Sequence, residues 1–325
     1  MASKNNSNGT SQSILSRPVW LAVSIFVAPV LAHASIRFFY STPTTDFGTG
    51  SMFDGIATRY DFLNRALALN MDMGWRRVMV SEVTSNGDIF YNGNKKVQML
   101  DLATGTADVA ILLAQEYESS KSKQGDEKDG IAISQDVNIV GVDPSQNMIN
   151  VGNEKLADRN LSDVINLNIG DARNLIGLKD NFFDTATMSF GIRNVPEKEI
   201  ALCEIHRVLK KKKKKNYNSN VGKLAILEFS EPGEDAGIMG FFGRLFIRYV
   251  VPVVGAMLSG APREYLHLQN SIKEFPAPQQ FQQMMENLQC GGSSGKKGNG
   301  SFVVDELKQL NFGSVQLYLA TPVYN

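Results

Sequence analysis

A chain of 325 residues with 43% apolar and 20% charged side chains has the composition of a globular protein and is long enough for one large domain or two. Lys plus Arg equals Asp plus Glu at 33 each, so the balance names no polyanionic partner and nucleic acid is not expected as one. Two cysteines, Cys203 and Cys290, are too few for a disulfide framework and lie outside any C-x-x-C or His-rich cluster, so reduced thiols and no bound metal are expected.

Residues 1–48 read as a targeting leader. They are rich in Ser, Thr and Asn, carry Lys4, Arg17 and Arg37, and hold no acid until Asp46. Val19 to Ala34 is nearly all apolar but short for a membrane span of about 20 residues. Ala32-His33-Ala34 fits a secretory cleavage pattern, whereas Arg37-Phe38-Phe39-Tyr40-Ser41-Thr42 resembles a mitochondrial processing site. Mitochondrial import is the preferred reading, with a plastid-type or secretory leader next and a retained anchor third.

Residues 49–325 are expected to form the folded domain. Phe53, Ile56, Ala57, Tyr60, Leu63, Leu67 and Val78 recur at helical spacing, so residues 52–83 are predicted to form two or three short helices. Lys96 to Ala110 follows as strand, tight turn and helix: Val97, Met99 and Leu100 end on Asp101, Ala103, Gly105 and Ala107 make the turn, and Val109 to Tyr117 is helical. Further strands are predicted at Val137 to Val142, Val164 to Asn168, Phe183 to Phe190, Lys223 to Phe229 and Val315 to Leu319, with helices from Ser145 to Leu156 and from Pro196 through Leu209. Three polar stretches, 119–136, 210–220 and 291–300, read as loop insertions. The second holds six consecutive lysines from Lys210; it is expected to stay solvated, with contact to anionic lipid as the alternative. Gly237 to Gly260 is apolar and Gly-rich, expected to be too interrupted to span a bilayer and to serve as a pocket cover or a patch facing a membrane or partner. Alternating strands and helices with acids at strand ends predict a doubly wound, mostly parallel α/β sheet behind an N-terminal helical cap.

The turn after the first strand narrows the ligand. A diphosphate grip needs G-x-G-x-x-G, but Ala103, Gly105 and Ala107 stand where those glycines would be, and an acid, Asp101, precedes them. An acid there disfavours a nicotinamide dinucleotide and suits a cationic, phosphate-free ligand such as S-adenosylmethionine. Excising the first insertion leaves about 24 positions between Asp101 and Asp143, near the roughly 20 expected before a ribose-binding acid. Asp171 and Ala172, after the third strand, are placed to flank the adenine. A plain turn or cap role is the alternative for Asp101.

Four blocks then carry a resemblance. Phe53-Asp-Gly-Ile-Ala-Thr-Arg-Tyr60-Asp61-Phe-Leu-Asn64 with Gly74-Trp75-Arg76, Met188-Ser-Phe-Gly-Ile-Arg-Asn-Val195, Leu227-Glu-Phe-Ser-Glu-Pro232, and Tyr265-Leu-His-Leu-Gln-Asn-Ser-Ile-Lys-Glu-Phe-Pro276 resemble, in order, the ubiquinone/menaquinone biosynthesis C-methyltransferase family. The resemblance implies a class I methyltransferase (Rossmann-like) fold that methylates a ring carbon of a polyprenylated quinol using S-adenosylmethionine. By matching position it places cofactor contacts on Thr106, Asp143, Asp171, Ala172 and Ser189, beside the turn residues Asp101 and Gly105. It further implies peripheral membrane contact on the matrix side of the inner mitochondrial membrane and a place in a quinone-synthesis multi-enzyme complex. The chain departs from the family at Ala107, where Gly is common, at the lysine run, and at the C-terminus, where the final strand is expected to be shortened or missing.

The reaction names the catalytic candidates. Ring-carbon methylation requires alignment and loss of a quinol proton, so Arg193 and Asn194 beyond the fourth strand, and Tyr60 in the cap, are the groups expected to hold the quinol oxygen. Arg193 has a structural alternative in pairing with Glu228 or Asp54, and Tyr60 in core packing. His206 is expected to be structural, whereas His267 carries no assignment. A benzoquinol on the way to ubiquinone is the preferred acceptor; a naphthoquinol, or a catalytically idle scaffold subunit, is the alternative.

Overall fold

The computed structural model describes residues 28–39, 48–85, 88–91, 96–123, 136–211, 221–233, 236–291 and 298–324. Most of the leader, the core of the 119–136 insertion, Lys212 to Lys215 and most of the 291–300 loop lie outside the described residues. In chain order the helices are α1 (Ala28–Phe39), α2 (Ser51–Asp54), α3 (Ala57–Leu67), α4 (Met71–Val83), α5 (Asp108–Lys123), α6 (Gln146–Asp158), α7 (Lys198–Val208), α8 (Gly237–Leu245), α9 (Val251–Ser259), α10 (Pro262–Glu274) and α11 (Pro278–Glu286). The strands are β1 (Val97–Leu102), β2 (Val137–Asp143), β3 (Ile165–Ile169), β4 (Thr185–Ser189), β5 (Lys223–Phe229), β6 (Gly300–Leu310) and β7 (Val315–Tyr324).

The seven strands lie in the order β3-β2-β1-β4-β5-β7-β6. β1 to β5 are parallel, and β7 runs antiparallel to both β5 and β6. Side chains alternate across the sheet as the pleat requires: Met99, Ala225 and Leu227 join the core under α4 and α5, whereas Leu100, Leu102, Leu224 and Ile226 join the core under α7 and α11. The strand order reverses between β1 and β4. That reversal opens a crevice at the carboxyl ends of the strands, where open α/β sheets bind their ligands.

Three sequence expectations are corrected. The final strand is not missing: β6 and β7 form a full antiparallel hairpin. β6 escaped notice because it is an edge strand with Asp305, Glu306 and Lys308 in its middle and a register shift between Val304 and Glu306, which removes the alternating apolar signal. The two cysteines are joined, Cys203 in α7 to Cys290 after α11. Packing of α11 against α7 brings their Cα atoms to 5.0 Å across 87 residues of sequence, a proximity that spacing cannot show.

The third concerns Gly237 to Gly260, which is not interrupted. α8 and α9 run through a π turn at Phe246–Val250 as one helical stretch, Gly237–Ser259, long and apolar enough by length and composition to cross a membrane. The π turn absorbs Pro252, which has no amide hydrogen to give the preceding turn. The glycines are contact points rather than breaks. A Cβ on Gly255 would sit 2.2 Å from Cδ1 of Tyr265, itself a buried residue of α10. Gly255→Ala is therefore expected to lower stability by about 1–3 kcal/mol, read from the midpoint of urea unfolding; an unchanged midpoint would show that α9 and α10 are free to separate.

Candidate active site

Two cavities adjoin at the carboxyl edge of the sheet. The first is lined by the turn after β1 (Ala103, Gly105), by Asp143 at the end of β2, by Gly170, Asp171 and Ala172 after β3, and by Ser189 and Phe190 at the end of β4. The second lies under α3, α4, α8 and α10 and is walled by Tyr60, Asn64, Trp75, Arg76, Phe190, Arg193, Phe229, Phe246 and Tyr265. Met52, Phe53, Tyr60, Phe190, Asn194 and His267 line both and form the wall between them.

The opening block folds into this cap because its acids reach the sheet loops. Asp54 accepts hydrogen bonds from the Ser145 hydroxyl and from the backbone N–H of Asn147 at 3.1 Å, at the start of α6. Asp61 accepts from Thr106 Oγ1 at 2.6 Å and pairs with Lys155 Nζ at 2.8 Å. Lys155 also pairs with Asp108 at 2.7 Å, and Arg65 with Asp108 and Asp72, so α3, α4, α5 and α6 share one charge network. Leu63 points into the core at 1% exposure, leaving Tyr60 and Asn64 to face the cavity.

Beneath the turn, Asp101 is 1% exposed, with Oδ2 accepting from Thr104 Oγ1 at 2.6 Å and Oδ1 from Thr187 Oγ1 at 2.7 Å. Burial pushes its carboxyl up to about 6. Asp143 accepts from the backbone N–H groups of Gly105 (2.8 Å) and Ser145 (2.9 Å), and burial raises its carboxyl as well. Burial alone would raise Asp171, but the Arg173 guanidinium at 2.6 Å outweighs it and holds the carboxyl below the usual range.

The Met188 to Val195 block turns sharply. Phe190 takes φ 57°, and a Cβ on Gly191 would lie 2.4 Å from Cβ of Ala103, so only glycine lets this block reach the β1 turn. Arg193 donates through Nη1 to Glu228 Oε1 at 2.6 Å and to the Phe190 carbonyl at 2.7 Å. Glu228 is fully buried, so the pair is a neutralised unit, not a free cation. Asp72 Oδ1, Ser189 Oγ, Arg193 Nε and Asn194 Oδ1 are buried atoms with no hydrogen-bond partner among the described residues, and all four belong to cavity-lining residues. Orphaned polar atoms at a cavity wall fit a ligand that supplies the partners.

Of the sequence-chosen residues, Gly105, Asp143, Asp171, Ala172 and Ser189 gather at the first cavity, Arg193 at the second, and Tyr60 and Asn194 at both. Asp101 and Thr106 line neither of these two cavities. Asp101 stitches the β1 turn to β4, and Thr106 is taken up by Asp61 and Lys155 (3.1 Å). Arg193 pairs with Glu228, one of the two structural partners foreseen. His206 is structural, its Nε2 2.9 Å from the Val323 carbonyl.

The sequence did not single out the aromatic wall. Phe190 and Phe229 stack at 4.3 Å, with Trp75 edge-on to each at 6.3 Å, a surface suited to a planar ring. Trp75 was visible in the Gly74-Trp75-Arg76 block, but nothing local assigns it to a cavity. Among the described residues no group of three or more His, Cys, Asp or Glu is arranged to hold a metal.

Two outcomes follow from these contacts. Asp61→Asn keeps an acceptor for Thr106 but removes the charge facing Lys155, and is expected to lower stability by about 1 kcal/mol in urea unfolding; no change would show that the network does not hold the cap. For Asp101, the folded value near 6 lies above the ordinary 3.8, so its stabilising share is complete below about pH 4 and lost as pH rises through about 6. Relative to Asp101→Asn, the wild type should lose up to about 3 kcal/mol between those limits. Thermal midpoints of both proteins across that range check it, and a gap that does not move with pH would show Asp101 to be ionised throughout.

The geometry can be set beside known proteins. Residues 43–295 match the model of the ubiE/COQ5 methyltransferase family. A ubiquinone/menaquinone biosynthesis C-methyltransferase, UbiE, of Citrifermentans bemidjiense is 37% identical over 241 residues, covering 73% of this chain and 86% of that protein. A demethylmenaquinone methyltransferase of Deinococcus radiodurans is 34% identical over 234 residues, 72% of this chain and 81% of its own; one of Bacteroides fragilis is 31% identical over 270 residues, 83% and 90%. A solved SAM dependent methyltransferase of Aquifex aeolicus, at 16% identity over 75% of this chain and 92% of its own, has a TM-score of 0.42. With its sheet order, its paired cavities and this match over most of its length, the chain belongs to the ubiE/COQ5 methyltransferase family and is an S-adenosylmethionine-dependent C-methyltransferase of quinone biosynthesis.

Proposed function

We propose that the acceptor is a polyprenylated benzoquinol, methylated on a ring carbon in the manner of a 2-methoxy-6-polyprenyl-1,4-benzoquinol methylase, on the matrix side of the inner mitochondrial membrane. The observation that carries the reading is the shared wall: an apolar, aromatic cavity meets a polar one at Tyr60, Phe190 and Asn194. The acid-poor leader and its Arg37 to Thr42 stretch support the organelle, and through it the benzoquinol. A naphthoquinol is the second reading, favoured by the relatives named demethylmenaquinone methyltransferase.

The polar cavity is where S-adenosylmethionine is held in this reading, by Asp143, Gly105, Asp171, Ala172 and Ser189. When bound, it supplies a methyl group on a sulfonium sulfur. The chain's own task lies with the quinol. Phe190, Phe229 and Trp75 fix the plane of the ring, so that the ring carbon meets the methyl in line rather than by chance encounter. Loss of a hydroxyl proton to a solvent water makes the carbons ortho and para to it nucleophilic. Arg193 Nε–H is the donor that steadies the oxygen as its charge grows, in a site where burial strengthens each such contact. Burial raises the Tyr60 phenol, so Tyr60 keeps its proton and acts as a second donor.

Asp143→Ala is expected to weaken S-adenosylmethionine binding at least tenfold by calorimetric titration. Arg193→Lys keeps a cation against Glu228 but removes Nε–H; it is expected to bind the cofactor within about twofold of wild type and to slow methyl transfer on the order of a hundredfold. Equal loss of cofactor binding in both would show the division of roles to be wrong. In cells lacking the protein, a demethylated benzoquinone should accumulate. A demethylated naphthoquinone would establish the second reading, and an unchanged quinone profile would overturn both.

A further inference from the structure

A quinol ring carries two hydroxyls, and Arg193 and Tyr60 serve one of them. The aromatic cavity has another polar point. Asp72, in the first turn of α4, lines that cavity and is 2% exposed. Its Oδ2 accepts hydrogen bonds from Nη1 of Arg65 and Nη1 of Arg76, whereas its Oδ1 is buried with no hydrogen-bond partner among the described residues. The other buried acids differ: Asp101, Asp143, Asp184 and Glu228 each have both carboxylate oxygens hydrogen-bonded within the chain. Among the described buried acids, Asp72 therefore stands apart in having an oxygen to spare, and it stands on a cavity wall. Its two partners are themselves tied down. Arg65 also bonds Asp108 at 2.5 Å, and Arg76 packs over the Phe190 ring, 5.3 Å from its centroid, beside the stacked aromatic wall.

We propose that Asp72 Oδ1 accepts a hydrogen bond from the quinol's other hydroxyl, and that it thereby makes the cavity select the reduced ring over the oxidised one. The inference rests on the proposed quinol acceptor and needs only a ring with two hydroxyls para to each other, which a 1,4-benzoquinol and a 1,4-naphthoquinol both have. The physical reason is that a carboxylate paired with two guanidiniums accepts and does not donate. A hydroxyl gives Oδ1 the donor it lacks. A quinone carbonyl presents lone pairs instead, leaves Oδ1 buried and unpaired, and so loses affinity. The other groups on the wall do not make this distinction. Phe190, Phe229 and Trp75 take either ring by shape, the donors Arg193 Nε–H and Tyr60 O–H suit a carbonyl as well as a phenolate, and the Asn194 amide can turn either its oxygen or its nitrogen to the ligand. The hydroxyl on Asp72 keeps its proton throughout; the oxygen that ionises is the one at Arg193. Selection has a use, because a quinone has no hydroxyl proton to lose and would occupy the site without reacting.

Kinetics of the full chain with S-adenosylmethionine and a short-tailed quinol in detergent test it. For the wild type, the matching quinone is expected to inhibit only at concentrations about tenfold or more above the quinol KM. Asp72→Asn keeps the shape but offers an amide N–H to the cavity; it is expected to raise the quinol KM about tenfold and to tighten inhibition by the quinone, with S-adenosylmethionine binding within about twofold of wild type. Quinol and quinone weakened equally in Asp72→Asn overturn the proposal in favour of a purely structural pairing with Arg65 and Arg76. A second measurement needs no variant. An analogue with hydrogen in place of the hydroxyl farther from the methylated carbon is expected to show a KM about tenfold higher on the wild type; an equal KM overturns the proposal, and this result decides alone if Asp72→Asn does not fold. A wild type that methylates the naphthoquinol and not the benzoquinol fails the acceptor reading alone, and the same comparisons on the naphthoquinol then decide the role of Asp72. One that methylates the benzoquinol but is inhibited equally well by its quinone fails the role of Asp72 alone.

Discussion

The active site depends on short helices being held over the strand ends by carboxylates. α2, α3 and α4 have 4, 11 and 13 residues, lengths at which an isolated helix is marginal in water. Asp54 fastens the first to the start of α6, and Asp61 fastens the second to Thr106 and Lys155. Asp54 serves as acceptor at the beginning of α6, where backbone N–H groups lack intrahelical partners and an anion is favoured, whereas Asp61 reaches Thr106 ahead of α5 and Lys155 in the last turn of α6. The cap thereby closes on the same turns that line the polar cavity, and Tyr60, one residue from Asp61, is carried to the wall between the two cavities.

Charge inside the site is arranged in closed units. Arg193 is cancelled by Glu228, and Arg65, Arg76 and Lys155 by Asp72, Asp108 and Asp61 in one network. Taking such ions from water is costly unless each is paired and hydrogen-bonded, and removing one partner strands the other. The result is a ring cavity in which, among the described residues, few wall residues hold a buried polar atom without a partner: Asp72 through Oδ1, Arg193 through Nε and Asn194 through Oδ1. A low-charge, largely apolar setting suits a reaction whose only new charge is a phenolate that must not be solvated elsewhere.

Much of the fold was legible because its signals are local. The apolar run of β1, the acid at its end, the small residues of the turn and the periodic helices each depend on neighbours within a few positions. Where a signal was diluted, reading failed: β6 hid behind Asp305, Glu306 and Lys308, and the helix of Gly237 to Ser259 hid behind its glycines. Glycine reads as a breaker in sequence, yet at Gly255 and Gly191 it marks a place where another element comes too close for a Cβ.

The sequence by itself determined the fold class, the cofactor turn, the family blocks and the set of polar residues from which the site is drawn. Only the tertiary structure decided which of those residues line a cavity. Asp101 and Asp143 are both acids at strand ends, but one is enclosed by Thr104 and Thr187 while the other lines a cavity. Likewise Arg193 had two candidate partners, and the parallel pairing of β4 with β5 settled it on Glu228. A buried charge or orphaned donor is defined by atoms far away in the chain, so its partner is fixed by packing, which spacing along the sequence does not encode.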